Sequence, residues 1–364
     1  MRELRKDPII SRWVIISSER GRRPKENQRE DEDATVVEST EDCPFEMGRE
    51  SSTPPEVYAI RERGTAPDTP GWQVRVTPNK YPALSPEGEP TLHEHGLFVS
   101  INGVGIHEMV IETPDHSRQL DAQPVERIAL ILGVYQQRIR TLRQDPRVAH
   151  VLVFRNQGTG AGASLHHPHS QIVATPIIPN RIEQELGGSL TYWQRTGHCI
   201  YCDLTEQVRR ESEFVVHQRD GVLAFCPYAS IFPYEVWIVP EEHAADFADA
   251  DDRLLVVVAR VLKTVLLKQR EALGEFSYNL VLHTVPAPQA VEREFPSAST
   301  HYHWHIELYP RLTKPAGCEW GAGVFINPVP PEEAARHLRK LDVAAAMAGD
   351  ANAREHPDSS PTNE

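Results

Sequence analysis

The chain carries one order of features twice, and this repeat constrains its fold more than any other property. Each half begins with cysteine, continues with strand-like runs, a histidine, an amphipathic helix and a further strand, and ends in a dense histidine cluster. The first half runs from Cys43 to HHPHSQ at 166–171, and the second runs from Cys199 and Cys202 to HYHWH at 301–305. Six features in the same order predict a duplicated α+β unit, in which antiparallel sheets are packed by helices. A single irregular α+β domain is the alternative.

Hydrophobic periodicity places the main elements of this unit. The predicted strands cover 73–77, 108–112, 149–154, 222–225, 236–239 and 277–283, and the predicted helices cover 125–143 and 254–269. We expect a first half at 1–190, a second half at 191–343 and a disordered polar tail at 344–364. We also expect segments 26–42 and 285–300 to be loosely held, the second because of its prolines.

The charge balance and the cysteine content limit the class of protein. The formal net charge is −14, from 38 basic and 52 acidic residues, which disfavours nucleic acid as a partner. The most apolar stretch contains Arg260 and Lys263, so we expect no membrane span. Five cysteines are too few for a disulfide scaffold of 364 residues. The pair Cys199-x-x-Cys202 indicates a metal or redox site, and we expect a cytoplasmic location.

The segment that leads into the first histidine cluster has the composition of a phosphate-binding loop. Glycines at 158, 160 and 162 follow a predicted strand. Glycine lets backbone N–H groups approach phosphate oxygens without obstruction by a Cβ atom. Asn156 and Ser164 add neutral hydrogen-bond donors. The loop therefore predicts a site for phosphate groups.

Alternation within the cluster places His167, His169 and Gln171 on one side of an extended backbone. A neutral imidazole can attack the phosphorus of a phosphodiester and hold the nucleotidyl group as a phosphoramidate. Gln171 can bind a non-bridging oxygen but cannot deliver a proton. Because a sugar 1-phosphate leaves without being protonated, a glutamine here favours transfer between phosphates over hydrolysis. Simple metal ligands or a polar surface are the alternative for these histidines.

The motif HPHSQ, with Asn-x-Gly and Gly-x-Ser upstream, resembles the galactose-1-phosphate uridylyltransferase branch of the histidine-triad superfamily. The resemblance extends over most of the chain. It is carried further by ELRKDPIISRWVIISSERGRRP, CPFEMGRE, VRVTPNKYPAL, GIHEMVIETPDHS and HWHIELYPRL. The fold that this resemblance implies is a pair of histidine-triad-like units.

The resemblance also implies a role for each residue of the site. His169 would be the nucleophile, and Gln171 would bind the phosphate beside it. The implied substrate contacts are Asn156, Gly162 and Ser164 for the phosphate, Asn79 for the nucleoside, and Arg20 and Arg23 for the incoming sugar 1-phosphate. A solvated turn is the alternative for the two arginines. The expected partners are a nucleotide sugar and a sugar 1-phosphate, or phosphate, and we expect a homodimer.

Two zinc sites are expected, one in each half. Cys199 and Cys202 with the distant His243 and His303 give a Cys2His2 set that suits tetrahedral zinc. By the duplication, the first half supplies its own set, which is Cys43, Glu46, His116 and His167. Glu46 stands where the family usually has a second cysteine, so an empty first site is the alternative.

Some relatives without the second cysteine pair hold a second metal with one glutamate and three histidines. The matching positions in this chain are Glu185, His283, His303 and His305. We favour the Cys2His2 set because thiolate is the better zinc ligand. In the second half Glu307 stands where the first half has Gln171, and a carboxylate would repel a phosphate. We therefore expect one active centre per chain, in the first half.

The substrate is less tightly constrained. Galactose enzymes of the family carry a Tyr-Glu pair where this chain has Val324 and Phe325, which predicts relaxed hexose selectivity. INPV and HSQ resemble plant-type ADP-glucose phosphorylases of the same superfamily. We place transfer of a uridylyl group to hexose 1-phosphate first, because Arg20 and Arg23 are present, and ADP-glucose phosphorolysis second. Nucleotide hydrolysis is disfavoured by Gln171, and an inactive, zinc-stabilised nucleotide-binding protein is disfavoured by the intact run from Asn156 to Gln171.

Overall fold

The computed structural model describes residues 2–19 and 40–347. Its strands are β1 (Arg2–Lys6), β2 (Trp13–Ser17), β3 (Tyr58–Arg61), β4 (Trp72–Pro78), β5 (Leu92–His95), β6 (Phe98–Ile101), β7 (Ile106–Ile111), β8 (His150–Gln157), β9 (His169–Thr175), β10 (Val215–Arg219), β11 (Val222–Phe225), β12 (Val236–Pro240), β13 (Tyr278–His283), β14 (His305–Pro310) and β15 (Phe325–Asn327). Its helices are α1 (Val125–Leu142), α2 (Asn180–Thr196), α3 (Ile200–Glu211), α4 (Asp252–Leu273), α5 (Pro288–Glu294), α6 (Ala298–His301), α7 (Gly317–Ala322) and α8 (Pro331–Lys340).

Ten of these strands form one antiparallel sheet that spans both halves of the chain. From the centre outward, the first half contributes β8, β9, β7, β4 and β3, and the second half contributes β13, β14, β12, β11 and β10. The two series have the same topology and meet where β8 pairs with β13, from Gln157 opposite Tyr278 to Val153 opposite Leu282. This arrangement confirms the predicted duplication of an α+β unit with antiparallel strands.

The long helices α1 and α4 cover one face of the sheet and form the main core with it. α4 begins at the Asp251 cap, whose carboxylate accepts a hydrogen bond from the Leu254 N–H at 2.7 Å. Alternation along β9 turns Ile172 and Ala174 into this core. The alternate residues His169, Gln171 and Val173 face the opposite side of the sheet, which is the side of the predicted site residues.

Smaller elements lie around this sheet. β1, β2 and β15 form a three-stranded sheet in which β15 runs parallel to β2, and β5 and β6 form a separate hairpin. Within the described ranges, no helix has the length and apolar character needed to cross a membrane. Arg20, Arg23 and most of the segment 26–42 fall outside these ranges, and residues 40–42 form a single 3-10 turn.

The prediction that 285–300 is loosely held is wrong. The segment contains α5 and most of α6, and Val285, Val291 and Ala298 are buried in one hydrophobic core cluster with residues such as Phe225 and Trp237. Pro288 lies in the first turn of α5, where a backbone N–H has no partner within a helix, so the proline does not disrupt it. At the C-terminal end, residues 344–347 are helical and Met347 packs against the main core, so only 348–364 of the predicted tail lie beyond the described chain.

Candidate active site

The loop between β8 and β9 requires glycine at 158 for steric reasons. Gly158 has φ +77° and ψ 160°, a region that side chains avoid, and a Cβ atom there would lie 2.3 Å from the Ser277 Oγ. A 3-10 turn follows, in which the Gly162 N–H donates to the Thr159 carbonyl at 2.9 Å. Gly162 therefore shapes the loop with φ +84°, and its predicted contact with phosphate stays a prediction.

His169 begins β9 with one tautomer of its ring selected. Its Nδ1–H donates to the backbone carbonyl of His167 at 2.7 Å, so in the neutral ring the lone pair lies on Nε2. The residue is buried, and it lines a cavity of about 290 Å³ together with Asn156, Ser164 and His167. Four of the predicted site residues thus meet at one cavity.

Gln171 belongs to a group of polar side chains that crosses three neighbouring strands. Its Oε1 lies 2.9 Å from Nε2 of His107 on β7, and the Asn79 side-chain nitrogen lies 3.2 Å from the same ring atom. Asn79 directly follows β4, and its N–H donates to the His107 carbonyl at 2.8 Å. The structure therefore brings the predicted nucleoside contact and the predicted phosphate contact together through His107, which sequence reasoning missed.

Asn156 is held by a residue from the second half of the chain. Its Oδ1 accepts a hydrogen bond from Asn279 Nδ2 at 2.8 Å, and the same nitrogen donates to the Ala161 carbonyl at 2.9 Å. Asn279 lies opposite Asn156 in the β8–β13 pairing. Sequence reasoning missed it too, although a polar side chain within the apolar run of β13 is a usable signal.

A buried network holds β9 from the core side. The Arg155 Nε–H is shared between the two carboxylate oxygens of Glu112 at 3.1 and 3.0 Å, and Glu112 accepts a hydrogen bond from Ser170. Ser170 is also bonded to the Tyr135 hydroxyl of α1. Because Ser170 follows His169, these contacts fix the strand that carries His169.

Comparison with known proteins assigns the family. The family model for the N-terminal domain of galactose-1-phosphate uridyl transferase matches residues 1–179. ADP-glucose phosphorylase of Arabidopsis thaliana is 36% identical over 94% of this chain and 93% of its own length. Galactose-1-phosphate uridylyltransferase of Thermotoga maritima is 32% identical over 94% of this chain and 99% of its own. The chain belongs to the galactose-1-phosphate uridylyltransferase family. It is a nucleotidyltransferase, as HPHSQ predicts.

Solved structures of the family share the whole fold. The crystal structure of an Arabidopsis thaliana ADP-glucose phosphorylase with bound ADP-glucose matches with a TM-score of 0.80 at 33% identity, over 94% of this chain and 100% of that one. A uridylyltransferase structure matches with a TM-score of 0.70 at 29% identity, over 96% and 99%. Both branches of the family therefore match the chain over almost its full length.

Four potential metal ligands of the first half converge around His167, two residues before His169. The ligand atoms of Cys43, Glu46, His116 and His167 all lie within 4.8 Å of one another. The His167 Nε2–H donates to the Thr113 carbonyl at 2.8 Å, which leaves Nδ1 facing Cys43 Sγ at 3.6 Å. Burial lowers the pKa of His167 to about 4, so the ring is neutral, as a metal ligand must be. The set fits a metal ion.

The second half holds a matching set, Cys199, Cys202, His243 and His303, again within 4.8 Å. The His243 Nε2–H donates to the Ser299 carbonyl at 2.9 Å, and its Nδ1 lies 3.3 Å from Cys202 Sγ. His303 Nδ1 lies 3.7 Å from the same sulfur. A backbone carbonyl behind a ligating ring is the usual support of a metal-bound histidine. This set fits a metal ion as well.

The glutamate and histidine set that some relatives use for a second metal differs in one member from the set predicted from the sequence. Its members are Glu185, His283, His305 and Glu307, and His303 belongs to the cysteine set instead. Arg181 lies 2.9 Å from Glu185 and 3.3 Å from Glu307.

Charged groups of the chain contact one another within this cluster. His283 bridges the two carboxylates at 2.9 and 3.2 Å. Burial opposes a charge on His283, but Glu185 and Glu307 outweigh it and raise its pKa to about 10. Arg181 and His283 thus face the two buried carboxylates.

Phe325 lies on β15 and packs edge-on against Phe232 at 6.2 Å, with the Arg12 guanidinium 5.6 Å from its ring centre. It is not among the described residues that line the cavity beside His169, and the same is true of Gln171. The predicted relaxed hexose selectivity stays a prediction.

Proposed function

We propose that the chain transfers a nucleotidyl group from a nucleotide sugar through a covalent intermediate on His169. The supporting observation is the Nδ1–H contact with the His167 carbonyl, which leaves the lone pair on Nε2 beside the cavity. Nε2 attacks the α-phosphorus, an N–P bond forms, and the bond from that phosphorus to the bridging oxygen breaks. Sugar 1-phosphate leaves with the electron pair. A phosphate oxygen of the acceptor then attacks the same phosphorus, and the electron pair of the N–P bond returns to Nε2.

This sequence of steps needs no general acid. Both leaving groups depart with the electron pair of the bond that breaks, and Gln171 can stabilise the phosphoryl oxygens by donating N–H bonds. Hydrolysis to a nucleoside monophosphate would instead need activation of water. Of the predicted site residues, Asn156, Ser164, His169 and Gln171 are the group that carries the proposal.

For the acceptor we propose hexose 1-phosphate, with uridylyl as the transferred group, a reaction of galactose metabolism. It is supported by the uridylyltransferase relative that the chain covers over 99% of its length. Arg20 and Arg23, which lie outside the described residues, are proposed to bind the sugar phosphate. ADP-glucose phosphorolysis is the second candidate. It is favoured by the relative at 36% identity and by the HSQ form of the motif.

Intact mass spectrometry tests the proposal directly. Protein is incubated with UDP-glucose or with ADP-glucose, and we expect a uridylyl adduct that is absent from His169→Ala. The adduct is then chased with galactose 1-phosphate, glucose 1-phosphate or phosphate. Discharge by a hexose 1-phosphate supports uridylyl transfer, whereas an adenylyl adduct discharged by phosphate supports the second candidate. Failure to form an adduct with either donor would contradict covalent transfer.

We also propose zinc for the two cysteine-containing sets. Their thiolate, imidazole and carboxylate donors are those that zinc prefers, and four ligands suit its tetrahedral geometry. The ion would supply a structural crosslink between distant segments. In the first half, Cys43 and Glu46 would be tied through it to His167, two residues before the nucleophile. Metal analysis of protein purified without chelator tests this proposal.

A cytoplasmic homodimer completes the proposal. All five cysteines of the chain are free of disulfides, which is typical of a reducing compartment. The β5–β6 hairpin exposes large apolar side chains, with Leu97 98% and Phe98 77% exposed, and a two-stranded hairpin is marginally stable alone. A second copy of the chain would cover such a surface. Sedimentation analysis of the protein and of Phe98→Glu tests the assembly, and cell fractionation tests the location.

A further inference from the structure

We propose that His107 and Asn279 are positioning residues that fix the orientation of the two carboxamides of the site, Gln171 and Asn156. Each would hold the amide oxygen so that the amide nitrogen is left to donate to the phosphate. The inference rests on the proposed function, because it requires that these amides bind phosphoryl oxygens. It assigns a role to Asn279 and to His107, which lies within the segment GIHEMVIETPDHS but has no role predicted from the sequence.

The first arm is the contact between His107 and Gln171. It starts from a backbone N–H, which can only donate a hydrogen bond. The Ala83 N–H donates to His107 Nδ1 at 3.2 Å, so Nδ1 carries a lone pair and the ring proton is on Nε2. The Nε2–H therefore donates to its neighbour at 2.9 Å, and that neighbour must be the oxygen of Gln171. Among the described residues, the Gln171 side-chain nitrogen has no hydrogen-bond partner. It remains as a donor for the substrate.

Asn79 does not disturb this assignment. The Tyr81 N–H donates to Asn79 Oδ1 at 2.9 Å, so the Asn79 nitrogen is the atom that faces His107. It lies 3.2 Å from Nε2 and 3.5 Å from Nδ1, and such similar distances to both ring nitrogens place it over the ring. The in-plane direction of Nε2–H thus stays with Gln171.

The second arm is the contact between Asn279 and Asn156. It starts from a backbone group that can only accept a hydrogen bond, and it leads to the same orientation of the amide. The Ala161 carbonyl can only accept, so the atom of Asn279 that lies 2.9 Å away is its nitrogen. The same nitrogen lies 2.8 Å from Asn156, which must therefore present its oxygen. Within the described chain, the Asn156 nitrogen has no hydrogen-bond partner. Asn156 lines the cavity beside His169, so this nitrogen is available to a phosphate there.

The consequence is electrostatic. A primary amide can rotate by half a turn with little change in shape, and in the wrong orientation its oxygen would face the anionic phosphoryl oxygens. Both arms prevent that rotation before substrate binds, which avoids reorganisation in the transition state. One arm comes from β7 and the other from β13, so the single centre depends on both halves of the chain.

A double-mutant cycle tests this role. We expect His107→Phe to lower the single-turnover rate of nucleotidyl-His169 formation by about 10- to 100-fold, with a smaller change in KM, because a misdirected donor costs less than a deleted one. In a Gln171→Ala background the same change should have almost no effect. The Asn279→Ala and Asn156→Ala pair should behave in the same way. His107→Gln, whose amide can donate to Gln171, should recover most of the rate.

Controls separate a positioning role from a structural one. Crossed pairs, such as His107→Phe with Asn156→Ala, should multiply their effects, and the exposed His93→Phe should leave the rate unchanged. If His107→Phe does not fold, His107→Gln and the Asn279 cycle carry the test. If the wild type forms the adduct but the effects within both pairs multiply, the inference is wrong. Failure of the wild type to form an adduct would instead contradict the proposed function.

Discussion

His169 and His305 make the same backbone contact in the two halves of the chain. Each Nδ1–H donates to the carbonyl two residues earlier, at 2.7 Å for His169 and 3.0 Å for His305. Their surroundings differ, since His169 lines a cavity, whereas His305 is fully buried and stacks on Trp237 with ring centres 5.0 Å apart. The same ring geometry therefore occurs beside a cavity in the first half, at the proposed nucleophile, and in a packed core in the second.

The first prediction follows from this difference. His169→Ala should abolish transfer and leave the melting temperature almost unchanged, because the ring supplies the attacking nitrogen. His169→Gly should be rescued by a preformed nucleotidyl-imidazole, which brings the missing ring with the substrate. His305→Ala is the matched control and should lower the melting temperature through the cavity it leaves. Normal turnover by His169→Ala would exclude the mechanism.

The second prediction concerns stability in acid. His150 is fully buried at the start of β8, and in the described chain neither ring nitrogen has a hydrogen-bond partner. Burial and then the charges of Arg143 and His283 lower its pKa to about 3, against a smaller opposing effect of Glu185. The folded state thus keeps the ring neutral while the unfolded chain binds a proton below about pH 6.5.

Stability from His150 is therefore present above pH 6.5 and is lost as the pH falls towards 3. We expect His150→Leu to reduce the decline in the free energy of unfolding between pH 6.5 and pH 4.5, by up to about 1.4 kcal/mol per pH unit. Urea unfolding at several pH values measures this slope. The exposed His93→Leu should leave the slope as it is, and an unchanged slope in His150→Leu would refute the assignment.

At the scale of elements, the turn between β8 and β9 depends on a backbone conformation that only glycine adopts readily. We expect Gly158→Ala to destabilise the fold by about 1–3 kcal/mol and to reduce transfer sharply, because the loop beside the nucleophile must shift. Adding Ser277→Ala removes the oxygen 2.3 Å from the new methyl group and should restore part of the loss. Gly187→Ala, in open space on α2, should be neutral or stabilising. Equal stability of Gly158→Ala and wild type would show that the loop is not strained.

Periodicity predicts the elements that form the main core, and the reason is physical. The helix predicted at 125–143 is α1, which spans Val125–Leu142 and buries a regular apolar face. The strand predicted at 222–225 is β11, a continuous apolar run whose four residues are all buried. Periodicity misses α5, because a proline usually interrupts a helix and only the fold shows that Pro288 lies in its first turn. Polar residues close together in the sequence, such as His167, His169 and Gln171, can be grouped from their spacing alone.

Contacts between distant segments could not be predicted in this way. His107 meets Gln171, 64 residues away, and Asn279 meets Asn156, 123 residues away, and only the pairing of β7, β9, β8 and β13 brings them together. The same holds for the glutamate and histidine cluster. Matching its positions to those of relatives by sequence includes His303, whereas in the folded chain Glu307 is the fourth member. Spacing identifies groups within one strand, but register decides which strands share a site.

For the whole molecule, the zinc sites are expected to matter more for stability than for chemistry. Cys202→Ser should lower the melting temperature more than it lowers activity at moderate temperature, because the second-half set is remote from the phosphate loop. We expect between one and two equivalents of zinc per chain, with the Cys199 and Cys202 site better occupied. Cys318→Ser, at an exposed thiol outside both sets, is the control and should change neither quantity. Protein that contains no zinc when purified without chelator would contradict this.

The ion cluster of the second half links three elements of the fold. Arg181 and Glu185 lie on α2, His283 lies on β13, and the wholly buried Glu307 lies on β14. Arg181 contacts both carboxylates, and His283 bridges them, so the four side chains form one network rather than separate pairs. An amide at 307 would therefore leave Arg181 paired with Glu185 and would remove one anion from the network. The position that holds Gln171 in the first half thus provides, in the second half, a charged crosslink between a helix and two strands.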